Sequence, residues 1–279
     1  MPLYSCDMRP PLPGERAGFY ERTLLDLLGR GVLRRDMRLL VVAAGETDAR
    51  VLAGLGFTDV TLTNLDPDPS GDDSPFVWEH QDAEALSYPD GAFEFALVSA
   101  GLHHCSSPHR ALLELYRVVS GGLLALESRD SLLMRAAVAL GLADEYEVTA
   151  VVAHRLCAGG VRNSSLPNYV YRWTEREVAK TIASHAPHAR HRLLFFRELE
   201  APASVLDMRV NPLWGRALRL LEPAAALLTR LVPSQSNLFA FAVLKPELPR
   251  ELQPWLELVD GVPEPDEAWI RARYSLPGS

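Results

Sequence analysis

Three places in the first half of the sequence carry residues whose type and position suit ligand chemistry. The first is the turn Ala43-Ala-Gly45-Glu-Thr-Asp48, which follows an apolar run from Leu39. Small residues there let backbone amides approach a bound molecule closely. The second is Asp66, followed by Pro67, at the end of Asp59-Val-Thr-Leu-Thr-Asn-Leu-Asp66. A carboxylate at a strand end accepts both hydroxyls of a ribose. It equally serves as an aspartate that ends a strand in a turn. The third is Gln81-Asp-Ala-Glu-Ala85, ahead of the turn Pro89-Asp-Gly91. Asp82 there accepts from an exocyclic amine, while the amide of Ala83 donates to a ring nitrogen; the plainer alternative is a loop cap.

His103 and His104 come next, followed by Cys105. An imidazole titrates near neutrality and takes a proton from a hydroxyl as it attacks. A histidine at a helix start also packs or caps, and both readings stand for this pair. A Cys105–histidine nucleophile lacks a third group to orient it. His185, His188 and His191 lie close together, but no acid or cysteine joins them, so no metal site is expected.

Further along, Arg129 and Asp130 offer either substrate contact or an ion pair. Arg155, Arg162, Asn163, Asn168, Tyr169 and Tyr171 form a polar, aromatic stretch. It suits an acidic or hydroxylated substrate, or a lid that bonds to itself. Trp173, Trp214, Trp255 and Trp269 read as packing anchors.

Elements that would position these groups are legible in the hydrophobic pattern. Residues 1–18 are rich in proline and glycine and read as an extended arm. Phe19 to Leu33 has helical periodicity, stopped by Gly29 and Gly31. Strands are expected at Leu39 to Ala44, Asp59 to Asp66, Phe76 to Trp78, Phe93 to Ser99 and Gly121 to Glu127. Helices fall between them at Asp48 to Gly56 and Ser107 to Val119, the latter with Pro108 inside its start. That alternation predicts a parallel sheet covered by helices on both faces. Later, Ser131 to Leu142 reads as helical, and Thr174-Glu-Arg-Glu177 opens a helix to about Ala186. His191 to Glu198 and Asn237 to Leu244 read as strands, with a helical stretch, Leu206 to Val232, between them.

Composition narrows the class of function. The 279 residues are 48% hydrophobic, enough for a large core, so global disorder is excluded. Acids outnumber bases 36 to 28, giving a net charge of -8 and no basic stripe for nucleic acid or an anionic membrane. Three cysteines, an odd count without close pairing, argue against a disulfide framework. No signal-like or membrane-spanning run stands out, so a cytoplasmic protein is expected.

Taken in order, Leu39 to Glu127 resembles the class I S-adenosylmethionine-dependent methyltransferases, in particular their small-molecule group. The stretch Asp82-Ala-Glu-Ala-Leu-Ser-Tyr-Pro-Asp-Gly-Ala-Phe-Glu-Phe-Ala-Leu-Val98 is similar to that family's adenine loop and fourth strand. Leu102-His-His104, Tyr116-Arg-Val-Val119 and Gly121-Gly-Leu-Leu continue the pattern over roughly a third of the chain. The resemblance implies a Rossmann-like α/β sandwich: seven strands, mostly parallel, the last antiparallel, with helical cap insertions. It implies S-adenosyl-L-methionine as cofactor and S-adenosyl-L-homocysteine as product. The residues implied to bind it are Ala43, Ala44, Gly45 and Glu46, then Asp66 and Pro67, then Asp82 and Ala83, and Ser99. His104 and His103 are the implied proton-transfer residues. Arg129, Arg162, Asn168, Tyr169 and Tyr171 are the expected substrate contacts.

The first loop departs from the family pattern. Val41 stands at the place of the family's acid, Ala43 at its first glycine and Thr47 at its last; only Gly45 remains. Thr47 narrows the approach to the methionine end, and Glu46 offers a carboxylate to its ammonium group. The missing Gly-x-Gly-x-x-Gly run speaks against a dinucleotide enzyme.

The expected organisation is an arm and helix over 1–36, a cofactor-binding core over 37–127, a substrate cap over 128–190, completing strands with a helical insertion over 191–245, and a proline-rich tail from 246. The expected activity is methyl transfer to an oxygen or nitrogen of a small molecule, such as a secondary metabolite or glycan precursor. Alternatives on the same fold are cyclisation, aminocarboxypropyl transfer, or a binding protein with a degenerate site. The partner expected is a small molecule, with a homodimer left open and neither nucleic acid nor membrane involved.

Overall fold

The computed structural model describes residues 14–65, 74–199, 223–224 and 227–275, with side chains described from residue 18 onward. Asp66, Pro67, Trp214 and most of the expected helical stretch 206–232 lie outside the described residues.

A seven-stranded sheet organises the chain. Its strands are β1 (Leu39–Val42), β2 (Val60–Asn64), β3 (Val77–His80), β4 (Phe93–Ser99), β5 (Val119–Ser128), β6 (Arg192–Glu198) and β7 (Leu238–Leu244), in the order β3-β2-β1-β4-β5-β7-β6. The first five run parallel, and β7 is antiparallel to both β5 and β6. The direction of winding reverses between β1 and β4, the switch point where open sheets of this kind hold their ligands. The expected fold class is thus the observed one.

The sheet is covered on both faces because its central strands are apolar throughout. Side chains alternate sides along a strand. Leu40, Val42, Ala96 and Val98 face a core built with Leu112 and Leu115 of α3 (Pro108–Val118) and Val178 and Ile182 of α6 (Glu175–His185). Leu39, Val41 and Leu97 face the opposite core, with Leu24 and Leu27 of α1 (Gly14–Gly29) and Leu52 of α2 (Glu46–Gly54). All seven residues of β7 are buried, which fits a strand paired on both edges and covered on both faces.

Local sequence explains the helix starts. Ser107 accepts from the Arg110 amide, with Pro108 in the first turn, and Thr174 accepts from the Glu177 amide. Two expectations shift. The arm expected to be extended to residue 18 is helical from Gly14, and α2 begins at Glu46 rather than Asp48. Between β5 and α6 lie two short helices, α4 (Leu132–Ala139) and α5 (Val148–Ala153), and the 3-10 turn Val161–Asn163. The tail is not merely proline-rich: β8 (Leu256–Val259) and β9 (Val262–Pro265) form a hairpin through Asp260 and Gly261, both at positive φ. Cys105 is a free thiol and Cys157 is disulfide-bonded, which corrects the expectation of no bridge. Among the described residues, no helix is long and apolar enough to cross a membrane.

Candidate functional site

The turn after β1 makes one left-handed step, at Ala43. Ala43 has φ 50°, in the left-handed region that glycine favours. The Ala44 amide donates to the Thr63 carbonyl at 2.9 Å, and Asn64 Nδ2 donates to the Ala44 carbonyl at 2.8 Å. The turn is therefore pinned to the end of β2. Gly45 caps α2 in an extended conformation, and its amide donates to Asp48 Oδ2 at 2.9 Å. Glu46 is exposed on the first helical turn. Across the switch point, Gly101 leaves room for Ala43: a methyl on Gly101 would sit 2.5 Å from the Ala43 Cβ.

Beyond β4 the chain turns sharply. Ala100 adopts φ 52°, its amide donating to the Leu126 carbonyl at 2.8 Å. The 3-10 turn Leu102–His104 follows. Glu127, at the end of β5, is buried and organises this turn: Oε1 accepts from the Leu102 amide at 2.7 Å, and Oε2 lies 2.6 Å from His103 Nδ1. A carboxylate is an acceptor, so Nδ1 carries the proton and Nε2 points away from Glu127. Phe19, Ser99, Ala100, His103, Glu127 and Leu238 line a small cleft that is partly open to solvent.

The cap brings a second carboxylate to the histidines. Tyr146 and Tyr169 form an antiparallel bridge, flanked by Glu147 N–H donating to the Asn168 carbonyl and Val170 N–H to the Glu145 carbonyl, both at 2.9 Å. This short ladder holds Glu147 so that its Oε2 lies 3.3 Å from His103 Nε2 and 3.6 Å from His104 Nε2. Buried Asn168 donates to the same oxygen at 3.2 Å.

The charges of the cluster follow from its geometry. Burial pushes the His103 pKa down, but the carboxylates of Glu127 and Glu147 outweigh burial and raise it. Burial and then the neighbouring His103 charge lower His104 to about 4. Burial would raise Glu147, but hydrogen bonding and charge from His103 outweigh it and bring it to about 2. Burial, then the nearby acids, push the Cys105 thiol up to about 12, so it stays protonated.

In the loop after β3, Asp82 Oδ1 accepts from the Glu84 amide at 2.9 Å and Oδ2 pairs with Arg162 at 2.8 Å. Glu84 is buried, accepting from the Ser106 and Ser107 amides at 2.9 Å each and meeting Arg162 at 3.2 Å. Arg162, an expected substrate contact, pairs with Asp82 and Glu84 and so links the segment between β5 and α6 to this loop.

Other expected substrate contacts are used within the fold. Arg129 is buried, bonded at 2.6 Å to each Glu175 oxygen and at 2.9 Å to the Ser234 carbonyl, and lies over the Phe239 ring. Asn168 positions Glu147. Tyr171 bonds Glu177 and packs on Trp173. Tyr169 remains exposed, its ring edge-on to Tyr146. The structure thus brings His103 and Ser99 together at one cleft, with His104 beside His103 and Ala43 across the switch point against Gly101.

Sequence reasoning missed Glu127 and Glu147. Glu127 had a signal, as the one acid in the apolar strand Gly121-Gly-Leu-Leu-Ala-Leu-Glu127, placed at its carboxyl end. Glu147 had none, because only the Tyr146–Tyr169 ladder brings it to the histidines.

A methyltransferase-domain family model matches residues 44–126. No curated protein matches the chain in sequence. Among solved structures, a chain of the Haloferax volcanii complex containing the Trm112 methyltransferase activator covers 84% of this chain and 95% of its own length, with 12% identity and a TM-score of 0.50. A Thermotoga maritima S-adenosylmethionine-dependent methyltransferase covers 83% and 92%, at 14% identity and a TM-score of 0.48. The [4+2]-cyclase SpnF covers 81% of each chain, at 18% identity and a TM-score of 0.49. At 12% identity the likeness to the Haloferax volcanii chain is one of fold.

Proposed function

We propose that this chain is a class I S-adenosylmethionine-dependent methyltransferase, a reading supported by the methyltransferase-domain match over residues 44–126, and that it moves the methyl group of that cofactor onto an oxygen or nitrogen of a small molecule. The observation that carries the reading is the β1–α2 turn. Its backbone keeps the left-handed step at Ala43, and the bare Cα of Gly101 takes up the extra methyl. The residues there fit the adenosyl group's amino-acid end despite the lost glycines.

Ala43, Ala44, Gly45 and Glu46 would hold that end, and Asp82 and Ala83 the adenine, with Arg162 giving up part of its hold on Asp82. When bound, the cofactor supplies a methyl carbon made electrophilic by the sulfonium. Displacement at that carbon needs alignment more than acid–base chemistry. Ser99, His103 and His104 stand at the reacting end, where an imidazole nitrogen orients the acceptor's hydroxyl or amine. Phe19 and Leu238 supply apolar wall that excludes water. Exposed Tyr146 and Tyr169, set edge-on to each other, offer aromatic contact to the acceptor. The net charge of -8 speaks against a polyanionic acceptor.

The test is calorimetric titration with S-adenosylmethionine and with S-adenosylhomocysteine, for the natural chain and Asp82→Asn. Micromolar binding of both, weakened in the variant, supports the reading. No binding by folded protein overturns it. In turnover assays, methylthioadenosine in place of S-adenosylhomocysteine would move the reaction to cyclisation or aminocarboxypropyl transfer.

A further inference from the structure

We propose that His103, His104 and Glu147 form a binding site for one divalent transition-metal ion of the zinc class, with Glu127 orienting His103 from behind. This inference does not depend on the methyl-transfer reading.

The donor atoms are already gathered. One ligand atom from each of His103, His104 and Glu147 lies within 4.8 Å of the others, and both Nε2 atoms face Glu147 Oε2. Tetrahedral bonds of about 2.0–2.1 Å separate neighbouring donors by about 3.3 Å. The two separations to Glu147 are 3.3 and 3.6 Å. The imidazoles are not stacked: their rings are tilted by 37° with centroids 4.4 Å apart. Two histidines and one carboxylate are a ligand set that suits zinc and leaves a coordination position open.

The outer contacts match those that support metal-binding histidines. A ligating imidazole commonly donates its other N–H to a carboxylate, which fixes the tautomer and raises its basicity. Buried Glu127 does this for His103 Nδ1 at 2.6 Å. His104 has a backbone partner in Gly160, and Asn168 holds Glu147. Access is open on one side, since the side chains of His104 and Glu147 are 32% and 27% exposed while that of His103 is 5%. With both imidazoles neutral, Glu127 and Glu147 place two negative charges around the gap, which a divalent ion balances. Arg162 and its acids are a separate pairing beside the cluster.

The competing arrangement is a protonated His103 shared between Glu127 and Glu147 with no ion. The test uses the full chain, stripped with a chelator and then titrated with Zn2+ and, for its spectrum, Co2+. One ion per chain is expected, with a Co2+ visible band of four- or five-coordinate type and no thiolate charge-transfer band. Glu147→Gln and His104→Asn should each weaken binding at least about 10-fold, Glu127→Gln by about 10-fold or more, and His188→Ala not at all. Circular dichroism checks that each variant is folded; should one fail, the spectrum of the natural chain still decides. Absence of stoichiometric binding, a thiolate band implicating Cys105, or full affinity in folded Glu147→Gln overturns the site.

Discussion

Ala43 and Gly101 are a matched pair. Ala43 occupies a left-handed backbone position normally given to glycine, and Gly101 supplies the space its methyl needs. They meet where β1 and β4 part, so the loss of one glycine is compensated by the bare backbone of another.

This pairing predicts non-additive mutations. Gly101→Ala would place a methyl 2.5 Å from the Ala43 Cβ and 2.9 Å from Val98 Cγ2. Overpacking of this kind costs about 1–3 kcal/mol. Ala43→Gly in the same chain should recover part of the loss, because the closer of the two clashes disappears. Urea denaturation of both single variants and the double variant measures this coupling. Equal losses in the single and double variants would show that the two residues do not interact.

Glu175 gives a pH dependence with a defined sign. Burial would raise its pKa, but hydrogen bonds from Arg129, its own helix amide and Arg197 outweigh burial and bring it to about 2, from an ordinary 4.5. A carboxyl held low when folded stabilises the fold above its unfolded pKa. That contribution fades as pH falls from about 4.5 towards about 2. Glu175→Gln should therefore lower stability at neutral pH and flatten the loss in this window. Thermal melts of both proteins from pH 6 to pH 2.5 test it, and parallel curves would refute it.

Glu127 holds two donors in a buried place. Glu127→Ala leaves the Leu102 amide and the His103 imidazole without their acceptor, at a cost of about 3 kcal/mol. Glu127→Gln should cost less, because an amide oxygen still accepts from Leu102. The amide NH2 then faces His103 Nδ1, so the imidazolium favoured by its two carboxylates should lose its Nδ1 proton and become neutral. Nitrogen chemical shifts of His103 report the change, and an unaltered protonation state would contradict the geometry.

Arg162→Ala releases Asp82 from a half-exposed ion pair and removes a longer contact to buried Glu84, which keeps the Ser106 and Ser107 amides as donors. Stability should change by no more than about 1 kcal/mol, as for pairs of this exposure. If Asp82 serves adenine, S-adenosylmethionine should bind several-fold more tightly to this variant, read by calorimetry. Weaker binding would mean that Arg162 supports the ligand rather than competing for its acceptor.

The sheet was legible because its signal is local and repeated. The apolar runs at Leu39, Phe93 and Gly121 each carry their own strand pattern, and the turn Pro89-Asp-Gly91 marks one boundary. The hairpin at Val259-Asp-Gly-Val262 was equally local, an Asp-Gly turn between short apolar runs, and was passed over inside a proline-rich tail. The site was less legible. Ala43, Gly45 and Asp82 stand out by loop position, whereas the roles of Arg129, Arg162 and Glu147 depend on partners distant in sequence. Nothing in the neighbourhood of Arg129 announces Glu175, and nothing near Arg162 announces Glu84.

The two-tyrosine ladder that carries Glu147 belongs to the cap, while His103 and His104 belong to the rigid turn beyond β4. An ion held by all three would join, at a second place, two parts of the chain that Arg162 already links through Asp82 and Glu84. Reciprocity then fixes the arithmetic: whatever factor the ion adds to cap docking, the docked cap adds to ion affinity. A ligand that prises the cap away would release the metal, and a chelator would loosen the cap, though neither touches the other's site.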